Sequence, residues 1–330
     1  MPRMNGNEPK IEIFAPFGAA YELMKTILFR PFDIGKWLVI AFAAFLSGGW
    51  GGSFNPGGRL GRFGSGDWKY RATNHGNWPS DWTMPAWGIA LIIVGALALL
   101  VLIVVLMWVT SRGRFIFTDC VVKNRAAIAE PWSEFRREGN SFFLFSLAVA
   151  FVTMLVTAVL VLIIAVPLGL FSSNKAAAAG VGASAVVLFI LFGLVLLVFC
   201  LFFALVSHFM VPVMYRRRCS AKDAFLDVSK LVFRYPGPFI LLVLFGIVLA
   251  IAVGITGTVI ACLTCCIGGL PYISTVLLLP AIVWLLAFKL LFIRQFGDQY
   301  DVWATVGFPA PSEVPPPPSP PLPPPPIAPA

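Results

Sequence analysis

Apolar residues in this chain gather into long uninterrupted runs instead of alternating with polar ones. Six runs stand out: Ile34 to Gly49, Ala86 to Val109, Phe142 to Leu168, Val186 to Val213, Phe239 to Cys262 and Ile273 to Ile293. A helix needs about 20 consecutive apolar residues to cross the hydrocarbon core of a bilayer, and only closed hydrogen bonding within the helix satisfies its backbone there. The pattern predicts an all-α polytopic membrane helix bundle of about six transmembrane helices. The first run is short for a bilayer and can draw on Trp50 as an interfacial anchor.

Within the fifth run, small residues recur at every fourth position: Gly246, Ala250, Gly254, Thr258 and Cys262. In lipid, small side chains let two helix backbones approach closely, so this stripe predicts a helix-packing face. Pro212 and Pro280 each remove a backbone donor and predict local bends in the fourth and sixth runs. Ser146, Thr153, Thr157, Ser207 and Thr256 are the uncharged polar groups from which a transport pathway could be lined.

Between the runs lie polar segments. Ala20 precedes Arg30 by ten residues, Ala224 precedes Arg234 by the same interval, and Ala127 stands in a similar relation to Arg136 and Arg137. The spacing suggests three repeated units, each a cytoplasmic amphipathic helix followed by a transmembrane hairpin. Residues 48–81 are rich in Gly, Asn, Ser and Trp and read as a flexible external loop, whereas the stretch from Pro309 is a disordered proline-rich tail with polyproline II character. The domain reading is a single transmembrane domain, 1–308, and a tail, 309–330.

Charge sets the orientation. Nineteen of the 24 Lys and Arg residues fall on one side of the predicted spans, among them Arg112, Arg114, Arg136, Arg216, Arg217, Arg218 and Lys289, and five on the other. Because cytoplasmic segments retain cations, this split predicts both termini inside. The formal charge of +9 is distributed beside the apolar runs, not as a patch on a polar domain, which argues against nucleic acid as a partner.

With 59% hydrophobic and 12% charged residues, the composition agrees with lipid as the solvent. The six cysteines are too few and too unevenly spaced for a disulfide framework, though Cys262, Cys265 and Cys266 form a cluster that an oxidising exterior could bridge locally. With His75 in the external loop, His208 cannot build a two-histidine metal site, and it stands as a single polar candidate in the fourth run. No phosphate loop, HExxH or GxSxG motif occurs, so no catalytic, cofactor or metal residues are assigned. Asp119, Glu130, Glu134 and Glu138 are interleaved with Arg125, Arg136 and Arg137 in one cytoplasmic segment and read as ion-paired partners.

Ser111-Arg112-Gly113-Arg114-Phe115, running through Asp119 to Glu130-Pro131-Trp132, and Glu138-Gly139-Asn140-Ser141 carry a family resemblance. Val211-Pro212-Val213-Met214-Tyr215 and Gln295-Phe296-Gly297-Asp298-Gln299-Tyr300 add to it. Over roughly Ile11 to Trp303 the chain resembles an uncharacterised bacterial family of six-span membrane proteins. It is similar in layout to the membrane domain attached to some glycerophosphoryl diester phosphodiesterases. The resemblance implies an architecture without implying that activity, since the catalytic domain has no counterpart here. The expected role is that of a non-enzymatic protein of the bacterial inner membrane, acting through lipid contact or association with other membrane proteins. The alternative is a transporter, channel or lipid flippase with an uncharged polar pathway. Neither reading requires a cofactor.

Overall fold

The computed structural model of the chain describes residues 11–12, 14–48, 86–170, 175–263 and 271–308. Among the described residues every regular element is helical. In chain order these are α1 (Phe14–Phe29), α2 (Ile34–Leu46), α3 (Ala86–Val122), α4 (Ala129–Glu134), α5 (Arg136–Leu170), α6 (Lys175–Arg217), α7 (Ala221–Arg234), α8 (Pro236–Leu263), α9 (Pro271–Leu277) and α10 (Leu279–Arg294), with a 3-10 turn at Asp298–Tyr300.

Four helices, α3, α5, α6 and α8, are long and apolar enough to cross a membrane. The first apolar run forms the 13-residue α2, about 20 Å long, which falls short of a hydrocarbon core of about 30 Å. The sixth run is not one helix. It breaks at Leu278 into α9 and α10, with Pro280 in the first turn of the second piece, where a proline costs no hydrogen bond. Pro212, by contrast, lies inside an unbroken α6.

The second run also differs from its expected end. It does not stop at Val109 but continues helically to Val122, carrying Arg112, Arg114 and Asp119 on α3. Side-chain partners described below accommodate those charges, so nothing ends the helix where the apolar run ends.

Packing is concentrated at the end of the molecule that holds these cations. Phe115, Ile116, Cys120 and Val121 of α3, Val206 and Phe209 to Met214 of α6, and Phe288 and Leu290 to Ile293 of α10 are buried, together with Ala20, Leu23 and Ile27 of α1. Aromatic rings bind the layers. Phe17 of α1 lies 4.5 Å from Trp284 and 5.1 Å from Phe245, while Phe239 of α8 lies 5.6 Å from Phe209 and from Phe292. Toward the other end, most described apolar side chains of α3, α5, α6 and α8 are exposed. No more than 11% of the most apolar stretch of any of them is buried. Apolar surface on that scale requires lipid or protein cover.

The short helices α1 and α7 each precede an apolar helix and bury the alanines that head the expected repeat, Ala20 and Ala224. Helix α7 is amphipathic because Ala224, Val228, Leu231 and Val232 recur on one face and are buried. Its start is fixed by Ser220, whose hydroxyl accepts from the Asp223 N–H at 3.4 Å. The third segment forms only the six-residue α4 before the chain enters α5, so a threefold equivalence does not extend to it at helix level. Gly297, at φ +125°, turns the chain out of α10. Most of the glycine-rich loop and all of the proline-rich tail lie outside the described residues.

Candidate functional site

The extension of α3 brings its polar residues against the starts of α4 and α5. Arg112 is 6% exposed. Its guanidinium lies over the rings of Trp108 at 4.3 Å and Trp132 at 5.2 Å, and it donates from Nε and Nη2 to Asn140 Oδ1 at 3.3 and 2.9 Å. Trp108 Nε1 donates to the same oxygen at 3.2 Å. Two indole faces and an amide thus replace water around a cation that has no carboxylate partner among the described residues. Gly139 makes room for this arrangement, since a Cβ there would sit 2.9 Å from Arg112 Cγ.

About two turns further along α3, Asp119 is fully buried and heavily partnered. Its oxygens meet Lys123 Nζ at 2.7 Å and Arg125 Nη2 at 2.9 Å, and accept from the Tyr215 hydroxyl at 2.9 Å. The network continues outward. Arg125 reaches Glu130 at 2.8 Å, Lys123 reaches Glu134 at 3.5 Å, and Arg218 pairs with Glu134 and, at 3.7 Å, with Glu138. Arg218 also lies 4.0 Å from the Phe135 ring centroid, and that ring stacks on Tyr215 at 4.9 Å. Partial burial works against the Arg125 cation, but its hydrogen bonds to Asp119 and Glu130 outweigh it and raise its pKa above the ordinary value. The carboxylates, spread over α3, α4 and α5, are ion-paired, but of the expected partners only Arg125 takes part. Lys123 and Arg218 supply the rest, and Arg136 and Arg137 form no ion pair among the described residues. The network is a clamp that joins α3, α4, α5 and α6.

A second polar group has a different character. Arg114 of α3, His208 of α6 and Lys289 of α10 come together, with Lys289 Nζ 3.3 Å from His208 Nδ1. Arg114 lies within electrostatic reach of both and stands over the Phe142 ring at 5.4 Å. None of the three has a carboxylate partner among the described residues. His208 is exposed and the other two are partly exposed, so the group opens outward. The sequence singled out His208 alone. Lys289 reads as a residue near a helix end, and the signal that could have joined it to His208 was the absence of any acid in the two helices that carry them, α6 and α10.

The small-residue stripe takes a different place from the one expected. Gly246, Ala250, Gly254 and Thr258 are all exposed, and a Cβ added at Gly246 or Gly254 meets nothing within 4 Å. The close contact in this part of α8 runs instead through Gly257, whose added Cβ would lie 3.5 Å from Leu278 Cδ1. The stripe points away because the helices that pack on α8 converge at its first turns, around Phe239 and Leu242. Gly254→Leu is therefore expected to leave the melting of dilute detergent-solubilised protein within about 0.5 kcal/mol of wild type. A larger loss would show that the stripe is covered.

Cys262 is exposed with a free thiol, while Cys265 and Cys266 lie outside the described residues, as does the bridge they could form. The hydroxyls of Thr153, Thr157, Ser207 and Thr256 each donate to a carbonyl three or four residues back on their own helix. Among the described residues no group of three or more His, Cys, Asp or Glu could hold a metal ion.

A family of unknown function (DUF7544) matches residues 12–306, and the chain belongs to it. No curated protein matches, and no solved structure does.

Proposed function

We propose that this member of the family is a non-enzymatic protein of the bacterial inner membrane that holds anionic lipid headgroups at Arg114, His208 and Lys289. The observation that carries the reading is the meeting of these three basic groups from three helices, with no carboxylate among the described residues to neutralise them. Basic pockets between membrane helices on the cytoplasmic side suit anionic headgroups, and each cation near such a surface contributes about 1 kcal/mol. With its ring neutral, His208 accepts from the Lys289 ammonium and leaves the remaining N–H groups of Lys289 and Arg114 for phosphate oxygens. The outward-facing apolar surfaces of α3, α5, α6 and α8 favour the same reading, because they provide a bed for acyl chains or for neighbouring membrane proteins.

Native mass spectrometry of protein released from bilayers of mixed phosphatidylglycerol and phosphatidylcholine tests this. Wild type is expected to retain phosphatidylglycerol selectively, and Lys289→Gln to retain about fivefold less, the equivalent of one cation at roughly 1 kcal/mol. Equal retention of the two lipids by wild type would overturn the reading.

The orientation that goes with it is six crossings with both termini cytoplasmic, with α2 and the α9–α10 pair completing three hairpins. Its support is the uneven division of Lys and Arg. Reporter fusions after Lys69 and after Gly297 are expected to report opposite compartments, and the same compartment for both would rule out that arrangement.

A further inference from the structure

Beside the Asp119 network, the end of α6 and the segment after the 3-10 turn border a half-open cavity of about 270 Å³, lined among others by Lys123, Glu134, Tyr215, Arg216, Arg218 and Thr305. Its walls carry three cations and one carboxylate. The carboxylate is spoken for, since Glu134 pairs with both Lys123 and Arg218. Tyr215 is likewise committed, donating its hydroxyl proton to Asp119. Arg216 differs from its neighbours. Among the described residues it has no ion pair, and its Nε is buried without a hydrogen-bond partner. A buried donor left unsatisfied costs about 1 to 3 kcal/mol, so this Nε, on an otherwise half-buried arginine, calls for an acceptor.

We propose that this cavity binds a phosphoryl group, with Arg216 as its principal ligand and Lys123 and Arg218 supplying the surrounding positive field. The planar fork of arginine matches two phosphate oxygens at once. Size restricts the ligand, because the volume lies just below the range of about 300 to 1,000 Å³ typical of small-molecule sites. Inorganic phosphate or a small phosphomonoester fits, and so does the headgroup phosphate of a lipid entering from the side. The site is separate from the Arg114, His208 and Lys289 group and does not rest on the function proposed for it.

The test uses the full chain in nanodiscs of neutral phosphatidylcholine, titrated calorimetrically with inorganic phosphate and with glycerol phosphate, and then repeated with phosphatidate in the bilayer. Saturable binding is expected in wild type, at least tenfold weaker binding in Arg216→Gln, and partial recovery in Arg216→Lys. Val306→Trp fills the cavity from a residue that is 46% exposed and keeps the test decisive should Arg216→Gln fail to fold. Lys289→Gln is expected to bind as wild type does, which separates this site from the lipid group. Binding in neutral discs identifies a soluble phosphate as the ligand, and a rise in melting temperature that appears only with phosphatidate in the bilayer, and is lost in Arg216→Gln, identifies the lipid headgroup. No saturable binding from either source, or affinity retained in both Arg216→Gln and Val306→Trp, overturns the proposal.

Discussion

Asp119→Ala is expected to lower the stability of the detergent-solubilised protein by about 3 kcal/mol, one of the two largest single-residue effects in the molecule. The carboxylate is wholly buried and holds Lys123, Arg125 and the Tyr215 hydroxyl. Breaking a buried ion pair by deleting one partner costs about 3 to 5 kcal/mol, because the other charge is left uncompensated. Here the low end applies, since Lys123 and Arg125 are partly exposed and retain Glu134 and Glu130. The loss has a second component, because the Tyr215 hydroxyl is left without its acceptor. Asp119→Asn separates the two. It keeps an oxygen for Tyr215 while removing the charge, and is expected to lose clearly less than the alanine variant. Equal melting of Asp119→Ala and wild type would show that the clamp contributes nothing to the fold.

The clamp also shows where sequence reading succeeded and where it stopped. Several residues that carried the family resemblance build it, although Glu134 and Arg218 lie outside those motifs. Asp119 meets Tyr215, Glu130 meets Arg125 and Glu138 meets Arg218, while Arg112 meets Asn140 nearby. Their pairing was legible as a mixture of charges in one segment, but not their partners, because Tyr215 is 96 residues from Asp119. Hydropathy located the long apolar helices because lipid solvation imposes a length that sequence displays directly. It misplaced the end of α3, since a hydropathy count treats Arg112 as a terminator while the protein packs it between Trp108 and Trp132. Spacing selected the stripe at Gly246, Ala250 and Gly254 as a packing face. Periodicity says which residues share a face, however, and not whether another helix stands against it. The cationic group needed three helices to converge, and no local pattern records that.

Gly113→Ala is the sharpest test of where close helix packing occurs, and it is expected to cost roughly 3 kcal/mol. A Cβ at this position would lie 2.4 Å from both the backbone carbon and the oxygen of Leu46 and 2.7 Å from the Ser47 nitrogen, where α2 ends against α3. Those are main-chain atoms at a helix terminus and cannot rotate aside as a side chain would. The two helices must separate or the substitution must distort α3. Overpacking typically costs about 1 to 3 kcal/mol, and a clash against backbone on a buried residue belongs at the top of that range. Gly95→Ala is the matched control on the same helix, because a Cβ there meets nothing within 4 Å. Replacing glycine by alanine within a helix is otherwise favourable by about 0.5 to 1 kcal/mol, so this control is expected to melt at or slightly above wild type. Comparing the two variants with wild type in the same detergent isolates the contact from the intrinsic preference of the residue. A Gly113→Ala protein that melts with the Gly95→Ala control would mean that α2 does not pack against α3 at Leu46.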